Sequence, residues 1–81
     1  MAALIDASQE FYEVLNEFPV LKDKLRELRF NVSDVKEGLS IEEYFKNKSY
    51  SDDEISLLVR KLNFEIRSFL KNGKLPWIEY E

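Results

Sequence analysis

The chain has no cysteine and no histidine among its 81 residues, only two glycines and two prolines, and no surplus of positive charge. Without thiols there is no disulfide, no thiolate nucleophile and no cysteine-held zinc or iron–sulfur site. Without imidazole, the usual general base near neutral pH and the commonest transition-metal ligand are missing, and a Ser-His-Asp triad cannot be assembled. Two glycines leave nothing for a Gly-rich phosphate loop. A formal net charge of −4 opposes loose binding to nucleic acid or to anionic membranes. No apolar run approaches the roughly 18 residues a membrane span needs. The opening MAALIDASQE lacks the basic start and long apolar centre of a secretory signal. These absences predict a soluble, cytoplasmic protein that is not an enzyme and carries no cofactor or metal.

What is present is core material. Hydrophobic residues make up 44% of the chain, six of them phenylalanine, which suits a single small domain with a dense interior. Their spacing is helical. Asp6 or Ser8 can cap a first helix, with Asp6 and Gln9 resembling a capping box. Phe11, Val14, Leu15 and Phe18 then fall on one face, and Pro19 interrupts. A second helix is expected from Val20 to Leu28, with Leu21, Leu25 and Leu28 as its stripe. Phe30 and Val32 alternate with polar neighbours but have no partner strand in view, so they read as plugs that fold the following loop onto the core. Ser40 with Glu43 starts a third helix whose Ile41, Tyr44 and Phe45 face inward, and NKSYS ends it.

The fourth helix has the clearest signals. Ser51 and Glu54 form a capping box, Asp52 and Asp53 sit at the positive end of its dipole, and Gly73 stops it. Ile55, Leu58, Val59, Leu62, Ile66, Phe69 and Leu70 make a continuous stripe along about 20 residues. The predicted fold class is all-α: a compact orthogonal array of four helices with the long C-terminal helix as spine. Residues 1–74 are expected as one helical domain, and 75–81 as an apolar tail, docked or partner-binding. Leu75, Trp77, Ile78 and Tyr80 are too apolar for an idle tail.

Two residues break the pattern. Leu57 and Phe64 lie seven positions apart on the fourth helix, opposite its main stripe. Either another helix or the Trp77 tail covers them, or they belong to a partner surface, self or foreign. Arg60, Lys61, Arg67, Lys71 and Lys74 give the same helix and its end a basic side. A solvated face explains it, and so does docking of an acidic partner or nucleic acid. Leu57, Phe64, Arg60 and Trp77 are the candidate interaction surface. The acidic groups Glu42–Glu43 and Asp52–Asp53–Glu54 sit at helix starts, where carboxylates cap, and they lack the alternating ligands and central glycine of a calcium loop. The tyrosines have no base beside them and are not expected to catalyse.

Phe18-Pro19, then Leu25, Leu28 and Phe30, then Ser40-Ile41 entering a helix, then Leu62-Asn63 resemble a small all-helical domain family of unknown function. That family is related to the N-terminal domain of ScdA-type iron-centre repair proteins and to the redox-disulfide domain associated with hybrid cluster proteins. The resemblance spans residues 3 to 64. Members often carry a glycine before the motif phenylalanine and one or two cysteines just after it. Here Arg29 stands at the glycine position and Asn31-Val32-Ser33-Asp34 where the cysteines fall, so no functional residue carries over. Thiolate chemistry is excluded. Relatives also occur fused to hemerythrin-like or sensor domains.

The function expected is therefore a non-catalytic helical interaction or companion module, partnering a metal- or redox-sensing protein such as a hemerythrin-like or sensor-domain protein. A homodimer is the self-partner version, and nucleic acid and membrane are not expected partners. The alternative is a redox or iron-centre accessory protein using non-cysteine groups. A small-anion site near Arg29 and Ser33 is a further, lesser expectation.

Overall fold

In the computed structural model, which describes residues 4–78, four helices account for all the regular structure: α1 (Phe11–Glu17), α2 (Val20–Glu27), α3 (Ile41–Lys46) and α4 (Asp52–Lys71). Among the described residues the only β feature is one isolated antiparallel bridge, Glu10 to Ser40. The 20 residues of α4 span about 30 Å at 1.5 Å per residue, most of the molecule's longest dimension of 36 Å. α4 packs against α2 and α3, and α1 against α2.

The expected core residues are inside. Phe11, Val14, Leu15 and Phe18 from α1 and its end, Leu21 and Leu25 from α2, Ile41, Tyr44 and Phe45 from α3, and Ile55, Leu58, Leu62 and Ile66 from α4 form one buried cluster. Phe45 is its aromatic hub, with ring centroids of Phe11, Phe30, Tyr44 and Tyr50 all 5.0–5.5 Å away. Phe30 and Val32 pack half-buried on this cluster, as plugs of the loop should. Leu70 departs from the expected stripe and is exposed.

α1 starts later than its sequence suggests. Asp6 and Gln9 do make the local turn: Asp6 N–H donates to Gln9 Oε1 at 2.8 Å and Ser8 N–H to Asp6 Oδ1 at 2.8 Å. That turn does not propagate, because its carbonyls serve another segment. Ala7 O accepts from Glu42 N–H at 3.0 Å, Gln9 O accepts from Ile41 N–H at 3.0 Å, and Phe11 N–H donates to Leu39 O at 2.9 Å. Gly38, at φ +94°, gives its N–H to Glu10 Oε2 at 2.6 Å. The N-terminal segment is thus zipped to the start of α3, and the helix proper begins at Phe11.

Asn63 ties the same segment to α4. Its Oδ1 accepts from Leu4 N–H at 3.0 Å and Ile5 N–H at 2.9 Å, and its Nδ2 donates to Ile5 O at 2.9 Å. It is the buried polar residue of the core, and these bonds remove the penalty for burying an amide.

Three helices end in one device. After α2, Arg29 takes φ +72°, its N–H donates to Arg26 O (3.0 Å), and Phe30 N–H returns to Leu25 O (2.8 Å). After α3, Ser49 takes φ +69°, with Ser49 N–H to Lys46 O (2.9 Å) and Tyr50 N–H to Phe45 O (3.0 Å). After α4, Gly73 takes φ +76°, with Gly73 N–H to Leu70 O (3.1 Å) and Lys74 N–H to Phe69 O (2.8 Å). Each is a Schellman ending, and the residue after the left-handed position folds back over the helix. That is how Phe30 and Tyr50 are aimed at the core, and Lys74 over the Phe69 ring at 5.9 Å. Only the last uses glycine.

Candidate functional site

The outer face of α4 is the first place where the structure leaves apolar side chains open. At about 100° per residue, Leu57, Arg60, Lys61, Phe64, Arg67, Ser68 and Lys71 share one side, opposite Leu58, Leu62 and Ile66. Leu57 is 52% exposed and Phe64 68% exposed. Among the described residues nothing covers them. Among the described residues no covering helix and no docked tail, one reading of a two-sided helix, lies over them.

α2 supplies the other wall. Lys24 and Leu28, at its C-terminal end, face Arg60, Lys61, Phe64 and Arg67 across a groove of about 490 Å³. A smaller recess of about 280 Å³ continues from it, sharing Leu28 and Lys61 and reaching Phe30, Tyr50, Leu57 and Leu58. Leu57, Arg60 and Phe64, three of the four residues the sequence nominates, therefore line one continuous feature. Trp77 does not join them. It lies beyond the helix and is 52% exposed. The tail docks instead through Pro76, which is fully buried, while Leu75, Trp77 and Ile78 stay exposed. Tyr80 lies outside the described residues.

Lys24 and Leu28 are site residues that periodicity did not nominate. Leu28 reads as the last member of the α2 core stripe and does pack on the core, but it is only half-buried and its open side lines the groove.

The charged residues lining the groove beside Phe64 are all cations, and the recess beside Leu57 adds one carboxylate, Glu54. Lys24 has a long contact with Glu27 at 3.5 Å on the same helix. Among the described residues Arg60, Lys61, Arg67 and Lys71 lie within ion-pair distance of no carboxylate. Many of the acidic residues are elsewhere. No lysine or arginine occurs before Lys22, whereas that stretch holds Asp6, Glu10, Glu13 and Glu17.

The other sequence candidates resolve into structural roles. Glu43 and Glu54 close capping boxes with Ser40 and Ser51. The Ser40 amide and hydroxyl hold the Glu43 carboxyl below its ordinary value. Lys46 bridges Glu42 (2.8 Å) and Asp52 (3.3 Å). Tyr44 donates to Asp34 at 2.5 Å, and Lys48 donates to the same carboxylate at 3.0 Å while lying 5.0 Å over the Tyr44 ring. The Tyr44 and Lys48 hydrogen bonds lower the Asp34 pKa, and burial, then Asp34, raises that of Tyr44. This cluster pins the 31–35 loop to α3. A phenol whose proton is held by a carboxylate is a poor catalyst at neutral pH.

Near Arg29 and Ser33 there is an open hollow of about 630 Å³, also lined by Lys22, Arg26 and Asn31. Arg26 already pairs with Asp23 at 3.0 Å, and Ser33 turns inward to Asn31 Oδ1 at 2.7 Å. Among the described residues no three carboxylates come together as a metal-binding group, and no helix is long and apolar enough to cross a membrane.

No family model, no curated protein and no solved structure matches this chain.

Proposed function

We propose that this chain is a non-catalytic interaction module that works by presenting the outer face of α4 to another protein. The observation that carries the proposal is Phe64, 68% exposed and lining a groove with Leu28 and four cations. Leaving a phenylalanine and a leucine at 68% and 52% exposure forgoes about 1–2 kcal/mol of burial for each. A contiguous open patch of this kind marks a docking surface more often than an idle one.

The resemblance to the domains beside iron-centre repair and hybrid cluster proteins points the same way. On that reading the scaffold is kept and the cysteines are gone, and the partner is a metal- or redox-sensing protein in the cytoplasm, of the hemerythrin-like or sensor-domain kind. Arg29 supports the resemblance, because its left-handed backbone is the conformation a family glycine would serve.

The test is a pull-down from the native cell with wild-type chain and Phe64→Asp, alongside a thermal melt of each. Loss of a specific partner with an unchanged melt supports the proposal. An unfolded Phe64→Asp, or identical captures from both, contradicts it.

A further inference from the structure

Resting on that reading of the α4 face, we infer that its partner is an acidic amphipathic helix of another protein, laid along the groove between α2 and α4. Charge, spacing and shape each point to this occupant.

Charge comes first. The chain is net negative, at −4, yet Lys24, Arg60, Lys61 and Arg67 ring Phe64. The carboxylates of α4 gather at its start, in Asp52, Asp53 and Glu54, whereas from Arg60 to Lys74 there are five cations and one carboxylate, Glu65. Lys71 extends the same side, beside a smaller hollow that Phe64 and Arg67 also line. One-signed clusters on an otherwise acidic molecule are held apart from their natural counter-charges, and they select an oppositely charged ligand and speed its encounter.

Spacing comes second. Leu57 and Phe64 are two helical turns apart, about 10 Å along the axis. A partner helix offers apolar anchors at i, i+3 or i+4 and i+7 with this repeat. Arg60 and Lys61 lie between the two apolar residues, so acidic side chains flanking the partner's anchors would meet them. A phosphodiester chain has nothing to place on Leu57.

Shape comes third. Phe64 lines a concave feature that α2 walls with Lys24 and Leu28. A rod fits such a groove, whereas the net charge of −4 opposes docking on an anionic bilayer.

The experiment uses the full chain and a labelled peptide of about 18 residues, long enough for five turns. It carries leucine at the anchor positions and glutamate on both flanks. A second peptide keeps the leucines and replaces every glutamate with lysine. The expected result is a Kd on the order of 10 µM for the acidic peptide at low salt. It should weaken at least about tenfold between about 20 mM and about 300 mM salt. The lysine peptide should bind at least about tenfold more weakly, and so should the acidic peptide to Arg60→Glu/Lys61→Glu, both surface positions.

Equal binding of the two peptides overturns the acidic class while leaving the face intact. Tighter binding of single-stranded DNA or of anionic phosphatidylserine vesicles than of the acidic peptide overturns it in favour of those ligands. Salt-sensitive self-association abolished by Arg60→Glu/Lys61→Glu makes the occupant a second copy, docking by its acidic α1 end, and overturns a foreign partner. If the acidic peptide fails while the native pull-down still depends on Phe64, only the partner class falls. If both fail, the α4 face falls with it.

Discussion

Both faces of α4 carry large apolar side chains, and their fates are opposite. Leu62 and Ile66 are completely buried, while Leu57 and Phe64 stand in solvent on the same helix. The inner face is closed by α2, α3 and the N-terminal segment that Asn63 clamps. The outer face has α2 along one edge only. The inner face is apolar along Ile55, Leu58, Leu62 and Ile66, whereas the outer face sets Leu57 and Phe64 among Arg60, Lys61, Arg67 and Lys71. Composition and the neighbours the chain's turns deliver together separate the two. The inner face holds the fold together. The outer face contributes little to stability and is left available for binding.

That contrast is breakable by substitution. Leu62→Ala should cost about 2–5 kcal/mol, since it removes a fully buried side chain and leaves a cavity. A chain of this length has roughly 4–12 kcal/mol to lose, so denaturant unfolding should show a large fall in midpoint. Asn63→Ala should cost about 2–3 kcal/mol by stranding the Leu4 and Ile5 amides and the Ile5 carbonyl. Hydrogen exchange at Ile5 should accelerate in that variant, and unchanged protection would mean the clamp is not formed. Arg29→Gly should move the other way, stabilising by about 0.5–1 kcal/mol, because the left-handed strain it relieves exceeds the extra freedom glycine gives the unfolded chain. Phe64→Asp should change unfolding by less than about 0.5 kcal/mol, as surface substitutions do.

The smallest expected effect is in acid. Asp34 has a lowered pKa in the folded chain, chiefly through the Tyr44 hydroxyl and Lys48. Its contribution is present above the ordinary aspartate value of 3.8 and is lost as pH falls through the lower folded value. Asp34→Asn should lower neutral-pH stability by this small increment and remove the matching acid sensitivity, so that wild type and variant converge in melts at low pH.

Much of this architecture was legible because single residues carry it. Ser40 with Glu43 and Ser51 with Glu54 mark helix starts by a reciprocal bond that needs only four consecutive positions. Pro19 separates α1 from α2 in the same local way. The start of α1 was illegible for the opposite reason: the competing bonds come from Leu39, Ile41 and Glu42, some 30 positions away. Arg29 and Ser49 give no sign of their left-handed backbone, since glycine is the usual marker and only Gly73 supplies it. Leu57 and Phe64 were visible as exceptions to the stripe, but whether anything covers them depends on where the tail goes. The tail turns on Pro76, the least conspicuous residue among Leu75, Trp77 and Ile78. Lys24 and Leu28 join the groove only through the packing of α2 on α4.

The most direct measurement is denaturant unfolding of the Leu57→Asp/Phe64→Asp double variant beside wild type, with acidic-peptide affinity read on the same samples. If the outer face of α4 is a docking surface, the unfolding free energies agree within about 0.5 kcal/mol and the affinity falls at least about tenfold. A loss of several kcal/mol in stability would show that both side chains are packed in the folded chain, and the account would be wrong.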